Sequence, residues 1–185
     1  MDTKVKIPLS YYQQEDVVGL AKDLIGKVLC TNIQGNQCEG IITETEAYAG
    51  ATDKASHAYK NLRTKRTETM YDSGGIAYVY LCYGIHHLFN VVCGPQDLPH
   101  AVLLRGIKPL GGVPFMEKRR HKDHSSKNFS SGPGTATMAL GIDLSHNGTQ
   151  LSGPVIWLED RSIQVPDKEI IIGPRIGVDY AQVDA

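Results

Sequence analysis

The spacing of apolar residues near the start of the chain is that of a helix. Within residues 11–24 the apolar positions Val17, Val18, Leu20, Ala21 and Leu24 have helical spacing, and two acids, Glu15 and Asp16, precede them. Acids at the beginning of a helix suit its dipole, and a glycine such as Gly26 is a common stop signal. The pattern therefore predicts an amphipathic helix over residues 11–24 that ends near Gly26.

The later apolar runs are short and rich in β-branched or aromatic residues, which is typical of strands. They are residues 27–31, 40–48, 76–83, 88–93, 101–107, 155–159 and 169–172. The turn sequence Gln34-Gly35-Asn36 joins the first two runs as a hairpin, and Gly84 joins the next two. Lys108-Pro109 is expected to end the fifth strand, because proline cannot donate a ladder hydrogen bond.

Two short helices and a long polar loop complete the pattern. Residues 114–120 and 135–140 predict the helices, and Gly141 closes the second one. Residues 50–70 predict the loop, and ordered loops of this length are usually functional. Since no repeat or linker interrupts the sequence, we expect residues 1–185 to form a single α+β domain. We expect a curved antiparallel β-sheet with flanking helices and a protruding β-hairpin.

The composition is that of a soluble globular domain. The chain has 185 residues, of which 41% are hydrophobic and 21% charged. It has no run of about 18 apolar residues, and its first residues lack the apolar segment of a secretory signal. We therefore expect a cytoplasmic protein with no membrane partner. The four cysteines form no C-x-x-C pair, so buried thiols are the expectation.

The net charge of −1 is unevenly distributed along the chain. Residues 54–67 contain five basic residues and no acid, and residues 118–127 contain five against one acid. Residues 159–185 contain six acids against three basic residues. This asymmetry permits a basic face for phosphates, although any single charged run is also typical of a solvated surface. The histidines at 121 and 124 lack cysteine or carboxylate company, so no metal site is expected.

The segment ETEAY, residues 44–48, carries two carboxylates on a predicted strand. Alternate side chains of a strand share a face, so Ile42, Glu44, Glu46 and Tyr48 are expected to point the same way. Two carboxylates about 6–7 Å apart repel each other unless they are solvated or partnered. The pair fits either an exposed edge strand with scattered acids or a reactive site in which one carboxylate is a base.

Aromatic residues crowd the predicted hairpin around Gly84. Tyr78 and Tyr80 share one face of the first strand, and Tyr83 lies beside the glycine turn. An exposed aromatic at a hairpin tip suits a wedge between base pairs, and an inner tyrosine suits stacking on an aromatic ligand. Ordinary strand tyrosines remain an alternative, and His57 in the long loop is equally compatible with a solvated histidine.

The order and spacing of these motifs resemble the alkyladenine (3-methyladenine) DNA glycosylase family. The resemblance extends over nearly the whole chain. Its segments are IITETEAYAGATDKASHA (41–58), TKRTETMY (64–71), GGIAYVYLCYGIHHLFNVV (74–92), AVLLRGIKPL (101–110), SGPG (131–134) and GPRIGV (173–178). It implies a monofunctional glycosylase of base excision repair. The expected substrates are 3-methyladenine, 7-methylguanine, hypoxanthine and ethenoadenine, and the expected product is an abasic site.

The resemblance assigns the water-activating residues. It implies that Glu46 is the general base that holds a water beneath the sugar C1′, and that Arg105 helps to position this water. A main-chain carbonyl within residues 176–178 would complete the water site. No cofactor and no Schiff-base lysine are implied. The alternative is a damage-recognition protein that binds alkylated bases without cutting, against which a buried Glu46 argues.

The resemblance also assigns a base-binding pocket and DNA contacts. Tyr48 matches one wall of the pocket, and His57 with Tyr80 the other. Asn90 matches the residue that disfavours the amine of guanine, and Tyr83 the side chain that fills the gap left by the flipped nucleotide. The expected partner is double-stranded DNA containing damaged purines, bound by a monomer. The expected phosphate contacts are Lys54, Lys60, Arg63 and Arg66.

The sequence departs from the family pattern in three places. After residue 178 the family usually continues into an aromatic, basic tail of the W-R-F type, whereas this sequence reads DYAQVDA. We therefore expect weaker DNA binding than a member with such a tail. Glu68 brings an unfavourable charge to a loop that is expected to meet DNA. The pair His86-His87 after the hairpin turn is also not typical.

Overall fold

Seven antiparallel strands form one open sheet in the computed structural model, which describes residues 4–184. The strand order across the sheet is β1-β7-β2-β3-β6-β5-β4. The strands are β1 Val5–Lys6, β2 Val28–Ile33, β3 Asn36–Tyr48, β4 Ala77–Cys82, β5 His86–Cys93, β6 His100–Gly111 and β7 Ile156–Asp160. The two longest strands, β3 and β6, pair at the centre and carry Glu46, Tyr48 and Arg105 of the candidate site.

Four α-helices lie within the described part of the chain, and three of them cover one face of the sheet. They are α1 Leu9–Tyr12, α2 Val17–Asp23, α3 Val113–Arg120 and α4 Pro133–Leu140. Helix α2 packs on β3 and β6, and α4 packs on β5 and β6. Side chains such as Leu20, Phe89 and Leu140 are almost fully buried between these layers. This apolar layer holds the central strands in place.

The loop that follows β3 covers the other face of the sheet at β4 and β5. Ala58, Met70 and Tyr71 of this loop pack against Tyr78 of β4 and Val92 of β5. Short 3-10 turns at Gly50–Thr52, Tyr59–Asn61 and Glu68–Tyr71 give the loop its shape. The loop predicted over residues 50–70 is therefore ordered and packed, and it forms one side of the cavity described below.

Both predicted hairpins are confirmed. Strands β2 and β3 pair around Gln34-Gly35, and β4 and β5 pair around Tyr83-Gly84. All four of these turn residues have positive φ angles, from 51° to 77°. This conformation matches the right-handed twist of the flanking strands, which explains the glycine at the second position of each turn. The α+β class, the antiparallel sheet and the projecting hairpin are thus confirmed.

Three boundaries differ from the sequence-based expectation. The helix over residues 11–24 is wrong as one element, because Asp16 caps a new helix by accepting the Gly19 N–H at 2.8 Å. Strand β6 does not end at Lys108-Pro109 but continues to Gly111, where Pro109 lies opposite Gly40 at a register shift. Residues 169–172 form no strand, and Ile171 and Ile172 lie exposed in a segment that crosses the surface.

Membrane insertion finds no support in the helices. Within residues 4–184, none of them is long and apolar enough to cross a bilayer.

Candidate active site

A row of paired residues crosses four strands on the face opposite the helices. Glu46 of β3 lies opposite Leu103 of β6, Leu103 opposite Asn90 of β5, and Asn90 opposite Tyr78 of β4. Directly paired residues of neighbouring strands have their side chains on the same face. The row therefore places a carboxylate, an amide and a phenol along one wall of a cavity of about 700 Å³.

An irregularity in β3 turns Glu46 towards this cavity. The register between β3 and β6 shifts around Glu44, so Thr43 has no partner in the ladder. Ile42 belongs to the core beneath the helices, and Ala47 packs against that same core. In a regular strand these two residues would face opposite ways. The expectation that Ile42 shares a face with Glu46 is therefore wrong, because the bulge reverses the alternation.

Glu46 is buried and receives hydrogen bonds from two directions. Its side chain accepts from the Tyr48 hydroxyl at 2.8 Å and from the Ile176 backbone N–H at 2.7 Å. Arg105 Nη1 lies 3.3 Å from its Oε1, and only 7% of the residue is exposed. These donors fix the orientation of the carboxylate. Burial, followed by the charge of Glu46, raises the pKa of Tyr48, so its hydroxyl keeps the proton it donates.

Glu44 holds the other side of Arg105. The arginine donates from Nε to Glu44 Oε1 at 2.9 Å while its Nη1 approaches Glu46. The side chain of Glu44 is 42% exposed, so it is the solvated member of the acidic pair. The two carboxylates therefore have different surroundings and different contacts. Glu46 faces the cavity, and Glu44 orients the guanidinium that separates them.

A second arginine ties the C-terminal part of the chain to the loop after β3. Arg175 donates to both carboxylate oxygens of Asp53, at 2.6 and 2.9 Å, and to the Ala47 carbonyl. Its guanidinium also lies 4.6 Å from the centre of the Tyr48 ring. Burial disfavours a charged Asp53, but the hydrogen bonds from Arg175 and from two backbone amides hold its pKa below the usual value. This ion pair places Ile176, the next residue, against Glu46.

The aromatic wall of the cavity is formed by His57, Tyr78 and Tyr80, with Arg66 beside these rings. The His57 ring lies 4.6 Å from the Tyr80 ring, nearly edge-on, and its Nδ1 lies 2.9 Å from the Tyr78 hydroxyl. Burial, helped by the nearby charge of Arg66, lowers the pKa of His57 to about 4. Burial also raises the pKa values of Tyr78 and Tyr80. All three rings are therefore neutral near pH 7 and present π surfaces to the cavity.

Asn90 lies at the bottom of the cavity with its side chain fixed. Its Nδ2 donates to the Tyr78 carbonyl at 3.1 Å, and the residue is 4% exposed. The N-terminal residues of α4, from Gly132 to Thr135, form another part of the lining. Every pocket residue expected from the sequence, namely Tyr48, His57, Tyr80 and Asn90, therefore lines one cavity together with Glu46 and Arg105.

The expected phosphate-binding residues lie outside this lining, with one exception. Lys54, Lys60 and Arg63 are exposed on the loop after β3, and only Arg66 reaches the cavity. Arg63 is already occupied, because it contacts Glu68 at 2.7 Å and Asp97 at 2.6 Å. Among the described residues of this loop, Arg63 is therefore the basic side chain held in a salt-bridge network, and Lys54 and Lys60 lie outside it.

The tip of the β4–β5 hairpin presents Tyr83 to solvent. The residue is 91% exposed and has a φ of 51°. Left-handed backbone is unfavourable for a bulky side chain, and full exposure of an aromatic ring offers no packing in return. Such strain at an exposed residue indicates a role outside the folded chain. Ile85, also at this tip, is 72% exposed.

A family model described as methylpurine-DNA glycosylase (MPG) matches residues 10–184. The chain belongs to the methylpurine-DNA glycosylase family. Similar proteins come from Chlamydia abortus (48% identity; 95% of this chain and 92% of the relative), Clostridium perfringens (46%; 92% and 87%) and Bacillus cytotoxicus (39%; 96% and 91%). Each of these relatives carries the name "Putative 3-methyladenine DNA glycosylase". The similarity covers the whole cavity described above.

Sequence reasoning missed three contributors to this methylpurine-DNA glycosylase site. They are the role of Glu44, the Asp53–Arg175 ion pair and the Ile176 amide. The motif GPRIGV pointed to residues 173–178, but it suggested a carbonyl rather than the N–H that contacts Glu46. No local pattern pairs residues as distant as Asp53 and Arg175. The usable signal was only that a buried carboxylate needs donors.

One surface cluster lies apart from the cavity of this family member. Glu117, Asp123 and His124 bring their side-chain ligand atoms close together, and His124 Nδ1 lies 2.7 Å from Glu117 Oε1. The expectation that His124 lacks carboxylate company is therefore wrong. The loop after α3 folds back on the helix, which sequence spacing did not show.

Proposed function

We propose that the protein hydrolyses the N-glycosidic bond of damaged purine nucleotides flipped out of duplex DNA, leaving an abasic site. The observation that carries this proposal is Glu46, a buried carboxylate oriented by hydrogen-bond donors at the edge of an aromatic cavity. A base inside a duplex is inaccessible to such a cavity, so the nucleotide must be extruded first. The proposed substrates are 3-methyladenine, 7-methylguanine, hypoxanthine and ethenoadenine, excised by a monomer.

The proposed chemistry needs one base and no covalent intermediate. As the bond between C1′ and the purine nitrogen breaks, positive charge develops on the sugar, and the carboxylate of Glu46 stabilises it. Glu46 accepts a proton from water as the water oxygen bonds to C1′, and the bonding electrons leave with the purine. A general base of this kind contributes about 10²–10⁴-fold to the rate. Arg105 is proposed to hold the water, and Glu44 to orient Arg105.

The proposed base pocket is the space between Tyr48 and the pair His57–Tyr80. Neutral aromatic rings stack on any purine, and they attract a cationic alkylated purine by roughly 0.5–2 kcal/mol. Asn90 is proposed to exclude the exocyclic amine of guanine, since its bond to the Tyr78 carbonyl holds it rigidly at the bottom of the cavity. Normal guanine would then be rejected by shape.

The proposed duplex contacts are made by the hairpin tip and by the basic residues of the loop after β3. Tyr83 at the hairpin tip fills the place of the extruded nucleotide, in the way that apolar wedges unstack base steps. Lys54, Lys60, Arg63 and Arg66 are proposed to meet backbone phosphates. These contacts position the duplex and carry no sequence information, which suits an enzyme that must find lesions in any sequence.

The test uses a duplex with a single hypoxanthine or ethenoadenine, followed by alkali to break abasic sites. We expect strand breaks with the native protein and a loss of at least about 100-fold in rate for Glu46→Gln, which keeps the shape and removes the base. Glu44→Gln should give an intermediate rate, because Arg105 loses one of two anchors. Glu15→Gln, at an exposed acid outside the cavity, is the matched control and should leave the rate unchanged.

The same experiment separates catalysis from recognition. Equal numbers of breaks from the native protein and from Glu46→Gln would contradict the role of Glu46. Tight binding of the lesion duplex with no breaks from either protein would instead support a damage-recognition protein.

A further inference from the structure

Arg66 brings a positive charge to the aromatic wall of the cavity. Within residues 4–184 its partners are rings and not carboxylates. Its Nη2 lies 3.4 Å from His57 Nε2, and its Cζ lies 5.1 Å from the centre of the Tyr80 ring. A guanidinium only donates hydrogen bonds, so Nε2 is the acceptor and the neutral histidine carries its proton on Nδ1. Neither ring offers a negative charge to balance Arg66.

The two other arginines at the cavity, Arg105 and Arg175, each have carboxylate partners. Arg105 lies between Glu44 and Glu46, which leaves a net negative charge at the β3 side. Arg175 approaches the Tyr48 ring but is neutralised by its two bonds to Asp53. Tyr80 lies on β4, which β6 and β5 separate from β3 in the sheet. Arg66 therefore lies against the rings of His57 and Tyr80, on the β4 side of the cavity.

We propose that Arg66 is a specificity-determining residue, which covers the ring face in the free protein and biases excision towards uncharged purine lesions over cationic ones. The inference rests on the proposed function, since it concerns the base that enters the same cavity. A cationic base such as 7-methylguanine is attracted by the rings but repelled by the guanidinium beside them. Both the attraction and the repulsion are weaker for an uncharged base such as hypoxanthine.

A bound duplex supplies the place to which Arg66 can move. The residue is exposed and lies at the end of the basic segment 54–67, so its long side chain can turn outwards to a phosphate. Bidentate contact with a phosphate is favourable for a guanidinium. Arg66 therefore has two alternative partners when DNA is bound, the Tyr80 ring and a phosphate. Its remaining charge near the cavity sets the preference between bases.

The experiment compares two lesions in the same duplex sequence. Single-turnover excision rates are measured for 7-methylguanine and hypoxanthine with the native protein, Arg66→Met and Arg66→Lys. We expect Arg66→Met to raise the ratio of 7-methylguanine to hypoxanthine excision about tenfold, which corresponds to about 1.4 kcal/mol. Arg66→Lys keeps the charge and should keep the native ratio. The ratio is used because a lost phosphate contact slows both reactions alike.

Arg63→Met is the matched control. It removes a second arginine from the same loop, one that Glu68 and Asp97 already neutralise. Its ratio should equal that of the native protein. An unchanged ratio for Arg66→Met, or an equal rise for Arg66→Lys, would overturn the proposal.

A binding measurement keeps this proposal separate from the proposed function. The two lesion duplexes compete for Arg66→Met and for the native protein, and the same shift of about tenfold towards 7-methylguanine is expected. If the native protein excises neither lesion, the proposed function fails while the competition still tests Arg66. If the competition shows no shift, the role of Arg66 is refuted whatever the excision rates are.

Discussion

At the scale of single residues, environment decides what identical side chains do. Glu44 and Glu46 are two positions apart on one strand, yet only Glu46 is buried and held by an aromatic hydroxyl and a backbone amide. Glu44 remains partly solvated and binds Arg105. A carboxylate that is fixed in place needs no reorganisation when positive charge develops beside it. This is the property that the proposed reaction asks of Glu46.

The lowered pKa of His57 predicts that the stability of the protein depends on pH. Its folded pKa of about 4 lies below its ordinary value of 6.5, so folding favours the neutral ring. The resulting stability is fully present above about pH 6.5 and is lost as the pH falls towards 4, because the unfolded chain then binds a proton that the folded chain refuses. We expect the native protein to lose up to about 3 kcal/mol relative to His57→Gln over this range.

Urea unfolding of both proteins between about pH 4 and pH 7 measures this difference. His124→Gln is the control, because His124 is exposed and the Glu117 carboxylate raises its pKa. That variant should not reproduce the acid-side effect. Parallel stability curves for the native protein and His57→Gln would show that His57 is not held neutral by the fold.

Residue-level chemistry was only partly predictable from the sequence. Glu46 and Tyr48 stand in one motif, so their proximity followed from strand geometry. The Asp53–Arg175 pair joins residues 122 positions apart, and no periodicity reports such a contact. Arg66 was identified as a phosphate contact because basic residues surround it. Its place beside Tyr80 depends on how the loop folds over the sheet.

At the scale of elements, the β4–β5 hairpin stores strain at its tip. Tyr83 and Gly84 both have positive φ, and asparagine tolerates this conformation far better than tyrosine. Because the Tyr83 ring is exposed, its replacement removes no packing in the free protein. We expect Tyr83→Asn to increase the free energy of unfolding by about 1 kcal/mol while it weakens binding to lesion-containing duplex DNA.

Chemical denaturation and a duplex-binding titration measure the two effects. Gly84→Ala is the paired variant, since an added Cβ there meets no atom within 4 Å and changes only the backbone preference. It should lower the free energy of unfolding by about 1 kcal/mol and keep the wedge. A Tyr83→Asn protein that is less stable than the native one would refute the strain argument.

Element types were predictable, and several boundaries were not. Asp16 begins a helix by capping it, and the polar run Gln-Gln-Glu-Asp at residues 13–16 interrupts the apolar period just before it. Pro109 predicts the end of a strand, yet β6 continues through Pro109 at a register shift with β3. The three isoleucines at 170–172 have strand composition and no partner strand within reach. In these last two cases a tertiary contact, or its absence, decides against the local pattern.

At the scale of the whole molecule, a net charge of −1 conceals a basic loop, residues 54–67, of which Arg66 lines the cavity. Each phosphate neutralised by a protein cation steepens the dependence of binding on salt, by about 0.9 in the logarithmic slope. We expect Lys60→Gln to reduce this slope by about one, because Lys60 is exposed and outside the salt bridges. Arg63→Gln should reduce it less, since Glu68 and Asp97 neutralise that side chain.

Binding of one duplex at several salt concentrations gives the slope for each protein. Equal slopes for the native protein and Lys60→Gln would show that Lys60 does not contact a phosphate. A larger loss for Arg63→Gln than for Lys60→Gln would show that DNA breaks the Arg63 network on binding.

The sequence predicts the fold class but not the order of the strands in the sheet. Two hairpins and one mixed layer of helices follow from local patterns. The position of β7 between β1 and β2 does not, because it requires a strand formed late in the chain to enter beside one formed early. Such pairings depend on which edges remain free after the hairpins form, and the sequence of β7 does not encode its neighbour.

The contact between the Ile176 amide and Glu46 also has a consequence during synthesis on the ribosome. The carboxylate emerges 130 residues before the N–H that it accepts from. A nascent chain can pair β3 with β2 while its Glu46 still lacks that donor and the neighbouring Arg175–Asp53 tie. Because translation proceeds towards the C-terminus, a nascent chain that has not yet reached residue 176 lacks a complete site.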